Sequence, residues 1–264
     1  MLATLSKGLR DLKLGLSRHE IWRTLAFQNV MFSFRKTWIG PFWLVIETAG
    51  LIFGIVVLKS MLIGDRSDDS IVFLVSGIVI YQVLISYLFG TSGIFLQGKN
   101  LLHTKGQPTS LPVFIYLTRA TINAFYVIVG YLIYIAIIRP DTFVAVASAV
   151  IIMWSIAIFL GVGSALFFAP LSARFGDFGV FISTFSRFFM FITPVFWTPS
   201  LATQQEWWVR YNPLYHLIEI PRDFALREGF NVEHMVLGGL FASLMIALGF
   251  FVFSYFRKTI PLWV

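Results

Sequence analysis

Long apolar runs alternate with short polar breaks along the whole chain. The runs cover residues 39–63, 71–96, 111–138, 143–169, 180–197 and 235–256. Each holds about 18 to 28 residues, and a bilayer core of about 30 Å needs about 20 helical residues. Six membrane-spanning helices are therefore predicted. The residues before the first run are too many and too polar for a signal peptide, so no cleaved leader is expected.

The remaining polar pieces carry patterns of their own. In segment 1–38, Phe27, Val30, Met31, Phe34 and Trp38 recur at helical spacing, with Asn29, Ser33 and Lys36 opposite. This predicts an amphipathic helix lying in the membrane interface, its basic side chains reaching toward headgroups. It would serve as a simple anchor or as a wall beside a lateral entrance for an amphiphilic substrate. Domain organisation then reads as 1–38, an interface segment, and 39–264, a six-span membrane domain. The loop 97–110 is short and polar, and suits either plain connection or docking to a partner. In segment 198–234, Asn212 followed by Pro213 is a good helix start, and Leu214, Leu217 and Ile218 form an apolar face until Pro221 kinks or ends the helix. A shorter helix over 206–211 before it completes an outer re-entrant helical hairpin. The predicted fold class is all-α integral membrane.

Composition agrees: 58% of residues are hydrophobic and 12% charged, against roughly 45–50% and 25% in soluble domains. Cysteine is absent, which excludes disulfides and thiol chemistry. The net charge of +7 is explained by topology. With both termini inside, the inner segments hold twelve basic residues (Lys7, Arg10, Lys13, Arg18, Arg23, Arg35, Lys36, Lys99, Lys105, Arg174, Arg257, Lys258) and the outer ones five (Arg66, Arg139, Arg210, Arg222, Arg227). The positive-inside rule favours that orientation, and a nucleic-acid partner is not needed to explain the charge.

Chemistry is sparse. Residues 93–100 match a phosphate-binding loop through Lys99, but Asn100 stands where Ser or Thr would hold Mg²⁺. His19, His103, His216 and His234 show no metal-ligand spacing. No cofactor or metal is predicted for this chain, and energy for active transport would come from another subunit or an ion gradient. Glu47 and Arg119 each lie eight residues from the start of their spans. Equal depth and opposite sign predict an ion pair, with direct substrate contact as the alternative. Lys59 and Arg187 read as boundary or kink residues. Phe185, Phe188 and Phe189 fall on one helix face; they either pack against lipid and neighbours or line a pore on which sugar faces slide.

The order of these pieces resembles the membrane subunit of type 2 ABC transporters, particularly bacterial exporters of O-antigen and capsular polysaccharide. The resemblance rests on Phe34 through Trp43 followed by Glu47, which looks like a basic interface helix running into LG-x-x-W-x-x-x-(E/Q)-P. Ile39 replaces Leu there, and Thr48 stands in place of Pro. Ala173 through Asp177, Thr193 through Trp197, and Asn212 through Glu219 resemble further family segments. The resemblance implies a homodimer in a bacterial inner membrane, two copies of a cytoplasmic ATPase subunit supplying ATP and Mg²⁺, and a lipid-linked glycan as substrate. It implies a substrate entrance or gate at Arg35, Trp38, Trp43, Glu47 and Arg119, and a pore lined by Phe185, Phe188 and Phe189. Coupling to the ATPase falls on Lys99, His103, Lys105 and Gln107, and the outer motif on Asn212, Pro213 and Glu219. The chain itself would be no enzyme. Alternatives are a drug or small-lipid exporter of the same superfamily, a teichoic-acid exporter, a passive channel or ion-coupled carrier, and a membrane enzyme.

Overall fold

The helical spacing of apolar residues is realised over most of the described residues. The computed structural model describes residues 2–62, 67–198, 207–226, 229 and 231–264, and all regular structure among them is helical. In chain order the helices are α1 (Leu2–Ser17), α2 (His19–Ser33), α3 (Trp43–Leu62), α4 (Asp68–Leu88), α5 (Ile94–Gln97), α6 (Lys99–Leu102), α7 (Leu111–Ile138), α8 (Phe143–Arg174), α9 (Gly176–Ile192), α10 (Trp207–Arg210), α11 (Pro213–Ala225), α12 (Val232–Phe256) and α13 (Ile260–Trp263). A 3-10 turn at Gly40–Phe42 leads into α3. Ile63, Arg66, Glu206, Arg227 and the side chain of Lys59 lie outside the described residues, as does much of segment 198–234.

Five helices are long and apolar enough to cross a membrane: α3 with its leading turn, α4, α7, α8 and α12. The predicted fifth span falls on α9, which has 17 residues, about 26 Å of helix. It starts earlier than predicted and stops at Ile192 rather than Trp197, because Pro194 forces Thr193 into extended backbone (φ −82°, ψ 137°). The predicted second span also ends early. The Tyr116 hydroxyl donates to the Ser86 carbonyl (2.7 Å), and the Gly90 amide turns back to Ile85 O instead. α4 therefore closes at Leu88, and α5 resumes after a turn.

α4 sits at the centre and α3 at the edge. Of their apolar stretches, 78% of residues are buried in α4 but only 6% in α3. α8 and α12 form the most extensive helix pair. Gly163 and Gly249 let their backbones touch, since a Cβ on Gly249 would meet the Gly163 carbonyl and one on Gly163 the Ile246 amide.

Segment 1–38 is two helices rather than one stripe, and it is built into the bundle. α1 packs on α12 and the start of α7, where Gly8 abuts Ser254 and Gly15 abuts Ser110 and Phe114. α2 buries Ala26 against Leu111 and Ile115 of α7 and buries Val30 as well, while Phe27, Met31 and Phe32 stay exposed. The predicted stripe through Trp38 breaks because α2 ends at Ser33, whose hydroxyl donates to Asn29 O (2.8 Å). Lys36 then takes a left-handed conformation (φ 95°), and Trp38 lies fully exposed on the turn.

Candidate functional site

At the end of the bundle carrying loop 97–110, one carboxylate ties four elements together. Asp11 of α1 accepts from the amides of Ser110 (2.9 Å) and Thr109 (3.3 Å), and the Ser110 hydroxyl donates back to Asp11 O (3.0 Å). Arg257, just past α12, approaches the same carboxylate at 3.5 Å. Ser110 is the N-cap of α7 and has no side-chain cap of its own, so α1 supplies the missing acceptor across space. Nothing in the sequence marked Asp11 apart from its neighbours in a basic amphipathic stretch. The loop held this way presents Lys99, His103 and Lys105 outward. His103 Nε2 also donates to the main-chain oxygen of Val264 (3.1 Å). Gln107 turns inward instead, its side-chain oxygen buried without a hydrogen bond. Residues 93–100 form α5 and α6 joined at Gly98, which abuts Pro112, with no strand ahead of them.

Two cavities follow one face of α7. The first, about 240 Å³, is lined by Asn29 of α2, Gln97 and Asn100 beside the loop, and Ile115, Tyr116 and Arg119 of α7. Arg119 is half-buried, its guanidinium 5.2 Å from the centre of the Tyr116 ring. The second, about 310 Å³, is apolar and opens between α3, α4 and α7, with Val45, Ile52, Val127, Gly130 and Tyr134 in its walls. Positions 112, 116, 119, 127, 130 and 134 share a face at helical spacing. α2 covers that face near the loop and α3 covers it farther out. The turn between them, carrying exposed Arg35 and Trp38, passes across the gap, where Phe42 meets Tyr126 edge-on (5.4 Å).

The predicted Glu47–Arg119 pair does not form. The spans do not start level. Phe42 touches Tyr126, and Val45 packs where a Cβ on Gly130 would fall, so Glu47 stands near residue 130 of α7. Arg119 is eleven residues nearer the loop, about 16 Å. Glu47 also points the wrong way, exposed on the outer side of α3, while Thr48 faces inward and donates to Gln82 (2.7 Å). Of the predicted entrance residues, Arg35, Trp38, Trp43 and Glu47 are exposed, and Arg119 lies behind α2.

The three phenylalanines also separate. Phe185 and Phe189 pack on Phe89 at 6.3 and 5.8 Å, in a cluster that includes Phe168 and Phe178. Phe188 projects outward and is 61% exposed. One helix face spans both environments, so 185, 188 and 189 do not act as one surface.

The opposite end of the bundle holds the densest polar cluster. Asn212 caps α11 through Leu214 N (3.0 Å), and its amide donates to Thr193 (2.9 Å). Leu214, Leu217 and Ile218 are fully buried. α11 continues through Pro221 to Ala225 rather than ending there, because its last turn is anchored by Arg222. That guanidinium, with no exposed surface, donates to Pro194 O (3.0 Å) and to Glu219, and lies 3.9 Å from the centre of the Phe73 ring. It fills the space a Cβ on Gly77 would take. His216 Nε2 donates to Arg210 O (2.7 Å), which leaves its Nδ1 to accept from His234 Nδ1 (2.7 Å). His234 faces Asp223 at 3.8 Å. Two histidines that looked scattered in sequence are thus neighbours. The segments 193–197 and 212–219, far apart in the chain, meet in this cluster.

No known family's sequence profile matches the chain, and no curated protein matches it.

Proposed function

We propose that the chain is the membrane subunit of a two-copy exporter of lipid-linked polysaccharide, driven by a separate ATPase. The observation that carries this reading is the pair of cavities on one face of α7. A pocket of mixed lining with amide side chains and one cation, Arg119, suits the phosphate-bearing head of an amphiphile. The apolar cleft about 16 Å farther along suits its hydrocarbon tail. The exposed turn with Arg35 and Trp38 crosses the gap between them and marks a lateral entrance. Loop 97–110 would receive the ATPase through Lys99, His103 and Lys105, and the Asp11 clamp would pass its push to α1, α7 and α12 together. Both termini would lie in the cytoplasm, with α9 as a sixth crossing and α10–α11 as a re-entrant hairpin in the outer leaflet of a bacterial inner membrane.

The same two cavities fit an exporter of small lipids, which is the second reading. Depleting the chain in cells and identifying what accumulates on the inner side separates the two. A lipid-linked glycan is expected. Accumulation of an unglycosylated lipid or a drug would replace the first reading by the second. Accumulation of nothing, with transport by the purified chain in vesicles lacking any ATPase, would overturn both.

A further inference from the structure

Arg174 is the last residue of α8. It lies at the end of the bundle that carries loop 97–110, beside Phe256, which precedes Arg257 of the Asp11 clamp. Its guanidinium sits over three aromatic rings, 5.1 Å from the centre of Phe175, 5.3 Å from Phe256 and 5.6 Å from Trp263 of α13. Three rings around one cation hold a long side chain that would otherwise sample many rotamers. Its hydrogen-bond donors are left over. Arg174 is exposed and makes no ion pair or side-chain hydrogen bond among the described residues. Asp177 stands three residues on, but Phe175 between them takes extended backbone (φ −123°, ψ 100°), and no pair with Arg174 forms.

The surroundings fit one kind of anion. α8 and α12 are both long and apolar enough to cross a membrane. Both end beside Arg174, so the cation stands where headgroups begin. Lys258, just past α12, is exposed and adds a second positive charge. Apolar surface starts at the same place. Tyr255 meets Phe256 edge-on at 4.9 Å, and Tyr255, Phe251, Leu248 and Leu244 are exposed at helical spacing along one face of α12. From Leu244 to Tyr255 the helix rises about 16 Å, the depth of one leaflet. A forked, permanently charged donor beside such a column matches a phosphodiester with hydrocarbon attached. A soluble anion would use the donors and leave the column bare.

We propose that Arg174, set on Phe175, Phe256 and Trp263 and assisted by Lys258, binds the phosphate of an anionic phospholipid whose acyl chains lie along Leu244, Leu248, Phe251 and Tyr255. The bound lipid fastens the ends of α8, α12 and α13 to the membrane surface. The site shares no residue with the cavities on α7, and it does not depend on the cargo.

The purified chain in detergent is titrated with phosphatidylglycerol, with phosphatidylcholine of the same acyl chains, and with inorganic phosphate. Bound lipid is counted by native mass measurement, and melting temperature is followed in parallel. Phosphatidylglycerol is expected to bind about tenfold more tightly than phosphatidylcholine and to raise the melting temperature, with phosphate alone doing neither. Arg174→Gln should abolish the preference while the lipid-free chain melts nearly as before. Arg174→Lys keeps the charge without the fork and should bind phosphatidylglycerol about threefold more weakly, so the test survives if the glutamine variant does not fold. Arg210→Gln, at the opposite end of the bundle, should leave lipid binding unchanged. Equal binding of the two lipids, an equal effect of phosphate alone, or unchanged phosphatidylglycerol binding in the Arg174 variants would overturn the proposal. If Arg174→Gln keeps the lipid and instead releases a co-purifying cytoplasmic subunit, the cation belongs to a protein contact and the lipid site falls.

Discussion

Arg222 and Arg187 are both arginines in helices of the same bundle, yet the chain treats them in opposite ways. Arg222 is completely enclosed: a carbonyl, a carboxylate and an aromatic face surround it, and Gly77 is left bare to admit it. Arg187 stands on the exposed side of α9, with no ion pair or side-chain hydrogen bond among the described residues. The difference separates a charge used inside the fold from one left on its surface. Hydrophobicity alone does not draw that distinction, because both helices are mostly apolar.

The sharpest way to break the comparison is to disturb the enclosed charge. Arg222→Leu removes a fully buried cation that bonds Glu219 and Pro194 O, a loss of about 3–5 kcal/mol. Gly77→Ala pushes a methyl into the guanidinium and should approach the same effect. Both should appear as lost monodisperse protein and a large fall in detergent melting temperature. If Arg222→Leu melts like the parent, the hairpin end is not what holds α11 to α4.

A middle-sized effect is expected at the aromatic cluster. Full burial makes a Phe→Ala change cost about 3–5 kcal/mol. Phe185 and Phe189 are half-buried, so about 2 kcal/mol each is expected for Phe185→Ala and Phe189→Ala. Phe188→Ala should leave thermal stability nearly unchanged. Any deficit it shows in transport per folded complex would then belong to a surface outside the chain's own core.

Smaller again is the clamp. Asp11→Ala removes a cross-chain helix cap, and caps contribute about 1 kcal/mol. Amide exchange should quicken at Thr109 and Ser110, with little change in the rest of the chain. On the proposed function, transport per ATP in a complex with the proposed ATPase should fall more than stability does. Protection that is unchanged at those two amides would mean the loop is held by other contacts.

The smallest effect sharpens the comparison from the other side. In detergent monomers, Glu47→Gln and Arg119→Gln should act additively to within about 0.5 kcal/mol, as separated sites do. Coupling beyond that would restore a direct pair that the geometry does not contain.

Much of the helical frame is legible in residue pattern. The α7 boundaries match the predicted run at both ends, and Asn212–Pro213 starts α11 with the cap its residue types call for. Both features are local, decided by hydropathy over one segment or by chemistry within a few residues. Errors arise where a distant side chain intervenes: Tyr116 captures the carbonyl that would have extended α4, and Asp11 caps a helix about one hundred residues away in sequence. The candidate entrance is legible only in part. The resemblance placed Arg35, Trp38, Trp43, Glu47 and Arg119 at one entrance; the first four are exposed, and Arg119 is half-buried behind α2. Depth counted from span starts failed for Arg119 because α7 begins well before α3 along the bundle axis.

The sequence by itself determined that this chain is helical, that most of its long helices suit a membrane, and where locally decided ends lie, as for α7 and the start of α11. Those properties follow from burying apolar side chains and satisfying each backbone amide within its own helix, and both can be counted along one strand of text. Only the tertiary structure decided which charges meet. Whether a carboxylate and a guanidinium pair depends on the rotation and offset of two separate helices, set by contacts such as Val45 on Gly130 and Tyr81 on Ser186. Spacing within either helix carries no information about that offset. This is why the enclosed Arg222 cluster and the exposed Glu47 and Arg187 emerge only when the helices are placed side by side.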